Sequence, residues 1–312
     1  MDSKFIVSAT PHIRRSHSVA TMNIFLILAL LPVVCASIIF YKLPAFLIFV
    51  VATVCSYLFD VMFSYIILGK FNFKDVSSIS IGLILGSCMP VGVPILYVVL
   101  GSFISIFIAK IMFGGEGRSV INESALGIVV IAALLGFSHL CSYVSSSGAI
   151  VISPLEYFSE ANYSQIPLLS LFLGSGGGLI GTSSIVAVLV GGIFLCAMGV
   201  YDFYEPIISI IAFITITIIT KGSATFIPEL FTGSFLFVSF YMLPSHSSSP
   251  TIWGSKFIYA FIFGSLVALT RINYIFGEAG IFFCLVLCNL LSSALDAIVG
   301  QFYRGRRVKK YE

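Results

Sequence analysis

Charge is what this chain has least of. Only 9% of its 312 residues are Asp, Glu, Lys or Arg, against about 25% in a soluble domain. The hydrophobic share is 59%, and the mean hydropathy is +1.11. A soluble globule of this length could not hide so much apolar surface, and a disordered chain has the opposite balance. The net charge is only +3, with the basic residues scattered or terminal, which excludes nucleic-acid binding as the main task. Strands of alternating polar and apolar residues are also missing, so a membrane barrel is excluded.

The cysteines form no framework. There is no CxxC pair and no Cys/His cluster at metal spacing. Cys35, Cys55, Cys88, Cys196, Cys284 and Cys288 lie in or beside apolar runs, and Cys141 ends one. They read as small packing residues, and no iron–sulfur centre held by this chain alone is expected. His12, His17, His139 and His246 are too dispersed for a haem or metal pair on one helix. The run LGSGGGLIG (173–181) lacks the GK[ST] of a phosphate loop and follows no strand. Close approach of helix backbones explains it better.

What the sequence does have is ten apolar runs, near 22–41, 44–68, 77–90, 92–112, 121–140, 178–200, 205–220, 226–243, 254–271 and 280–299. Lipid offers no partner to backbone polar groups, so these runs must be helices. The first run is long enough to span a bilayer and reads as a retained span rather than a cleaved signal. The fold expected is all-α: a polytopic membrane protein of about ten transmembrane helices. An even count puts both termini on one side. The basic tail (304–310) and the N-terminal arm then share the cytoplasm, and of the 16 Lys and Arg only Lys42, Lys221 and Arg271 fall outside. The organisation expected is an arm (1–21), a first five-helix unit (22–140), an external loop (141–177), a second five-helix unit (178–299) and a basic tail (300–312).

The two units resemble each other at an offset near 162 residues. KLP (42–44) matches YEP (204–206), LGSF (100–103) matches FGSL (263–266), and IAKIMFGGEG (108–117) matches RINYIFGEAG (271–280). Five spans per unit invert the second copy in the membrane, as in many transporters. The third and eighth runs are short and end in SCMPVGVP (87–94) and YMLPSHSSSP (241–250). Interrupted helices at matched positions point to a binding or conduction site.

Several motifs are similar to a known family. SATPHIRRSHSVATM (8–22) with ILALLP (27–32) resembles the opening of the D subunit of the Rnf electron-transport complex, which is homologous to the B subunit of the sodium-translocating NADH:quinone reductase. FGGEGRSVINESALG (113–127) resembles FGGxGxNxFNPAxxG, GGGLIGTSSIVAVLVGG (176–192) resembles GGSIGETSALAILIGG, and YMLPSHSSSP resembles FMATDPVTSP. The resemblance implies a subunit of a redox-driven pump in the bacterial inner membrane. Such a pump couples electron flow between ferredoxin and NAD to Na⁺ or H⁺ movement, alongside flavin and iron–sulfur subunits. It also implies FMN, ester-linked through its phosphate to the threonine of an SGAT motif on an external loop.

At that place this chain reads SSSGAIVISPL (145–155). Ser147, Gly148 and Ala149 match, but Ile150 occupies the acceptor position and has no oxygen to esterify. Ser153, followed by Pro154-Leu155, becomes the acceptor only after a three-residue shift. Thr182 and Ser245 stand where the family motifs have Glu and Asp, and Glu123 stands where they have Pro. Covalent flavin is therefore not expected at Ile150.

Four carboxylates lie in or near spans and are candidates for the ion pathway: Asp60, Glu123, Glu229 and Asp296, with Ser245 in the second interruption. Intramembrane carboxylates suit protons and hard cations. A relay is the reading for Asp60. The plainer readings are an interfacial carboxylate for Glu229 and Asp296, and for Glu123 an ion pair with Lys110 or Arg118. Two other functions stay open: a self-contained inverted-repeat transporter or channel, and a scaffold subunit without a redox role.

Overall fold

The computed structural model describes residues 18–69, 75–136, 143–144, 150–151, 172, 178–223, 225–272 and 276–308. Most of these are helical, and the rest lie in turns or in a two-residue antiparallel pairing, Tyr143–Val144 (β1) with Ile150–Val151 (β2). Among the described residues, four helices are long and apolar enough to cross a membrane, and four shorter apolar helices accompany them. The chain is a multi-pass membrane protein.

α1 runs from Val19 to Leu68. Ser18 caps it, accepting from the Thr21 N–H at 3.2 Å. The sequence reading has two spans here, and the structure joins them through a sharp turn at Lys42 (φ 54°, ψ −133°). Pro44, two residues on, lacks the N–H that would complete the helical hydrogen bond across this turn. The two arms fold back on each other, since Ala20 from the start of the first and Ser64 from near the end of the second line one pocket.

α2 (Ser77–Ser87) packs along the second arm. α3 (Ile95–Phe103) continues as π-helical turns over Ile104–Ile111. Its Ser102 hydroxyl donates to the Ala52 carbonyl at 3.3 Å. α4 (Glu123–Leu135) starts on Asn122, whose side chain accepts from the Ala125 N–H.

The second unit contains α5 (Ile185–Ala197), α6 (Tyr204–Lys221), α7 (Phe226–Phe231), α8 (Phe235–Phe237, running into π-helical turns Val238–Met242), α9 (Trp253–Ile272) and α10 (Ala279–Val308). α6 and α9 touch backbone to backbone: a Cβ on Gly264 would lie 2.1 Å from the Ser209 carbonyl oxygen. Both runs stop where the sequence reading places their interruptions: α2 ends before Pro90, and the π-helical turns after α8 end at Met242, before Pro244.

The units meet along two seams, α1 on α5 and α4 on α10. Near the first seam the Ile180 N–H donates to the Met89 carbonyl at 3.0 Å. The Tyr241 hydroxyl sits between the units, 3.1 Å from the Ala29 carbonyl and 3.2 Å from that of Val188.

Candidate ion site

A pocket of about 320 Å³ opens where the start of α1, the start of α2, the turn before α4 and the second interruption converge. Its polar lining includes Asn23, Ser80, Glu116, Glu123, Ser245 and His246. The sequence motifs explain the placement. The turn 113–117 is glycine-rich, with Gly114, Gly115 and Gly117 at positive φ, and it swings Glu116 back toward the start of α1. There Glu116 accepts from the Asn23 amide, which in turn accepts from Ser80 Oγ at 3.1 Å.

Glu123 is buried at the first turn of α4, a position where the helix dipole favours negative charge. It accepts from Ser119 Oγ, and Ser247 Oγ lies 3.5 Å away. The expected pairing with Lys110 or Arg118 is not what forms. Lys110 goes instead to Asp60 and Asp75. Ser245 lines the same pocket, 3.2 Å from Ser247. The structure therefore brings Glu123 and Ser245 together, on opposite sides of the boundary between units.

A second pocket, of about 310 Å³, adjoins the first through Lys110 and Glu116. Lys110 is 2% exposed and places Nζ 2.9 Å from both Asp60 and Asp75. Asp60 is equally buried, so this ammonium is its neutralising partner. Asp75 lies in the turn before α2. Burial raises its carboxyl, but Lys110 and the Ser77 donors outweigh that and hold it below the usual carboxylate range. On the far side of the first pocket, Lys256 bridges Asp202 at 2.7 Å and the buried Glu205 at 3.0 Å.

The remaining candidates lie elsewhere. Glu229 is buried and takes the Lys221 ammonium at 2.6 Å, while Arg271 binds its backbone carbonyl and that of Thr232. This cluster sits at the other end of α6, roughly 27 Å from Tyr204 at 1.5 Å per residue. The two cations that break the positive-inside pattern in this half, the half-buried Lys221 and the buried Arg271, thus have protein partners. Asp296 holds the start of α9, accepting from the N–H and hydroxyl of Thr251, each at 2.8 Å, and from the Ile252 N–H at 3.2 Å. That role ties the start of α9 to α10.

Ser147, Gly148, Ala149 and Ser153 lie outside the described residues. Ile150 pairs with Val144 in β2. Thr182, at the family's Glu position, donates to the Leu179 carbonyl. Sequence reasoning missed Asn23, Asp75, Glu116, Glu205 and Glu278. The signal for two of them was the repeat itself, since IAKIMFGGEG and RINYIFGEAG each carry a base and then a glutamate.

Residues 6–304 match the model of the NQR2, RnfD, RnfE family. The chain belongs to that family. Among its curated relatives, the D subunit of the Na(+)-translocating ferredoxin:NAD(+) oxidoreductase complex of Acetobacterium woodii is 26% identical over 97% of this chain and 96% of its own length. The D subunit of the proton-translocating ferredoxin:NAD(+) oxidoreductase complex of Clostridium ljungdahlii is 24% identical over 94% and 93%. The B subunit of the Na(+)-translocating NADH-quinone reductase of Pseudoalteromonas atlantica is 26% identical, over 71% of this chain and 59% of the relative. As a family member the chain is RnfD-like: the first two of these relatives, both D subunits, match it almost end to end.

Proposed function

We propose that this chain is the D-type membrane subunit of an Rnf-type redox-driven ion pump. It works in the bacterial inner membrane with both termini cytoplasmic, and couples electron transfer between ferredoxin and NAD to Na⁺ or H⁺ movement. The observation that carries the reading is the nearly end-to-end match to D subunits of two complexes named for ion translocation. The buried carboxylates around a pocket between the two units support it, because such groups are costly in a membrane unless they serve an ion or a pair. The two seams, α1 on α5 and α4 on α10, join first element to first and fifth to fifth. That pattern is what two inverted five-element units would give, with the ion path at their boundary.

The test is purification of the tagged chain from its native membrane. The expected result is co-purification with flavin- and iron–sulfur-bearing subunits, and ferredoxin-dependent NAD reduction that drives ion uptake into vesicles. A chain that purifies alone and by itself carries solute flux across vesicles would instead show a self-contained transporter.

The flavin attachment of the family does not fit at Ile150, whose backbone is paired in β2 and whose side chain offers no hydroxyl. We expect the denatured chain to show no covalent flavin fluorescence in a gel. An added FMN mass that disappears in Ser153→Ala would overturn this and return a flavin-carrying role to the chain.

A further inference from the structure

Glu278 lies in the turn before α10 and is 0% exposed. Its Oε2 accepts from the Ser234 N–H at 3.1 Å and from Ser234 Oγ at 3.3 Å. Its Oε1 has no hydrogen-bond partner among the described residues, and the five ion pairs found there all involve other carboxylates. An ionised carboxylate so placed is unfavourable unless something neutralises it.

The surrounding chain leaves room for this group. Gly233, at φ 74°, lies against it, and a Cβ there would come within 2.6 Å of both carboxylate oxygens. Cys88, at the end of α2 in the first interruption, is within electrostatic reach of it. Along the 229–234 segment, Arg271 is anchored on the Thr232 carbonyl at 2.9 Å, and Glu229 is held by Lys221. Glu116 and Glu278 occupy matching turns, FGGEG and FGEAG, one residue out of register.

We propose that Glu278 is an exchangeable cation site, taking a proton or a monovalent metal ion, beside the start of α8. The inference rests on the ion-translocating reading and adds a second site to it. A proton or a sodium ion supplies the neutralisation that no described residue gives to Oε1. Ser234 steadies the other oxygen while the occupant changes.

The experiment uses the complex in its native membrane and dicyclohexylcarbodiimide, which adds to protonated carboxyl groups in apolar surroundings. Mass spectrometry should find the adduct on the peptide containing Glu278. Protection by sodium at fixed pH identifies a metal-ion site, and protection by raised pH alone identifies a proton site. Glu278→Gln should assemble and transfer electrons but lose most of its ion uptake, with Glu278→Asp retaining part. Should Glu278→Gln fail to assemble, Ser234→Ala keeps the carboxylate and removes a donor to its charged form, so labelling should quicken several-fold. Absence of the adduct at every pH, or wild-type ion uptake by Glu278→Gln, overturns the proposal. The labelling is read without pumping, so a complex that moves no ion at all would count against the functional reading and leave the site independently tested.

Discussion

Lys110→Met is expected to destabilise the protein by about 3–5 kcal/mol, the range for removing one partner of a buried ion pair. The side chain is 2% exposed and neutralises Asp60 and Asp75 together. Methionine fills a similar volume but leaves two carboxylates facing each other in an apolar setting. Thermal unfolding of the purified chain in detergent should show a large drop. Lys110→Met combined with Asp60→Asn should recover part of it, because the remaining buried charge is then single. The dependence on pH follows from Asp75, whose carboxyl is held below its ordinary range. Its contribution is present above the unfolded carboxylate pKa and fades as pH falls through the lower folded value, so wild type and Lys110→Met should converge in acid. Unfolding of Lys110→Met at the wild-type temperature would show the triad to be unimportant for the fold. Asp60 would then revert to a relay candidate, judged by whether Asp60→Asn still pumps.

Gly191→Leu is expected to prevent the two units from docking. A Cβ at that position would lie 2.0 Å from the Ala29 carbonyl oxygen and 2.1 Å from the Tyr241 hydroxyl. Neither is the loose end of a flexible side chain: one is helix backbone, and the other is the buried hydroxyl lodged between the units. Overpacking of a core usually costs about 1–3 kcal/mol, and a rigid backbone contact puts this change at or beyond the upper end. The expected outcome is aggregation or heightened protease sensitivity of the solubilised protein. Val190→Leu, at a side chain 55% exposed one position earlier, should behave as wild type. Equal stability of the two variants would show that the α1–α5 seam is not close-packed.

The elements were legible in the sequence because lipid leaves the backbone one choice. Each of the ten apolar runs contains helix, and the prolines at 90, 94, 244 and 250 mark where the two interrupted runs end. The turn at Lys42 was harder to see, since the apolar run continues through it and only Pro44 signals the break. The electrostatics were legible only in part. Asp60 stood out as an ionisable group inside a span, but its partner lies 50 residues along the chain, on the third helix to pack there. Glu205 and Glu278 sit at helix starts, where a sequence pattern places a carboxylate at the interface. The structure buries both completely. Lys221 and Arg271 looked like exceptions to a topological rule; each lies in the last turn of its helix and is tied to the 229–232 segment, Lys221 through the Glu229 carboxylate and Arg271 through the carbonyls of Glu229 and Thr232.

The fastening of α6 to α9 bears on how this molecule can move. The two helices run in the same direction, clasped at one end by Lys256 with Asp202 and Glu205, and at the other by Lys221, which donates to the Arg271 carbonyl at 2.8 Å. In the middle, Gly264 lets their backbones touch. A pair held at three levels has no internal hinge and tilts as one rod. Any opening and closing that accompanies turnover must then be taken up outside this pair.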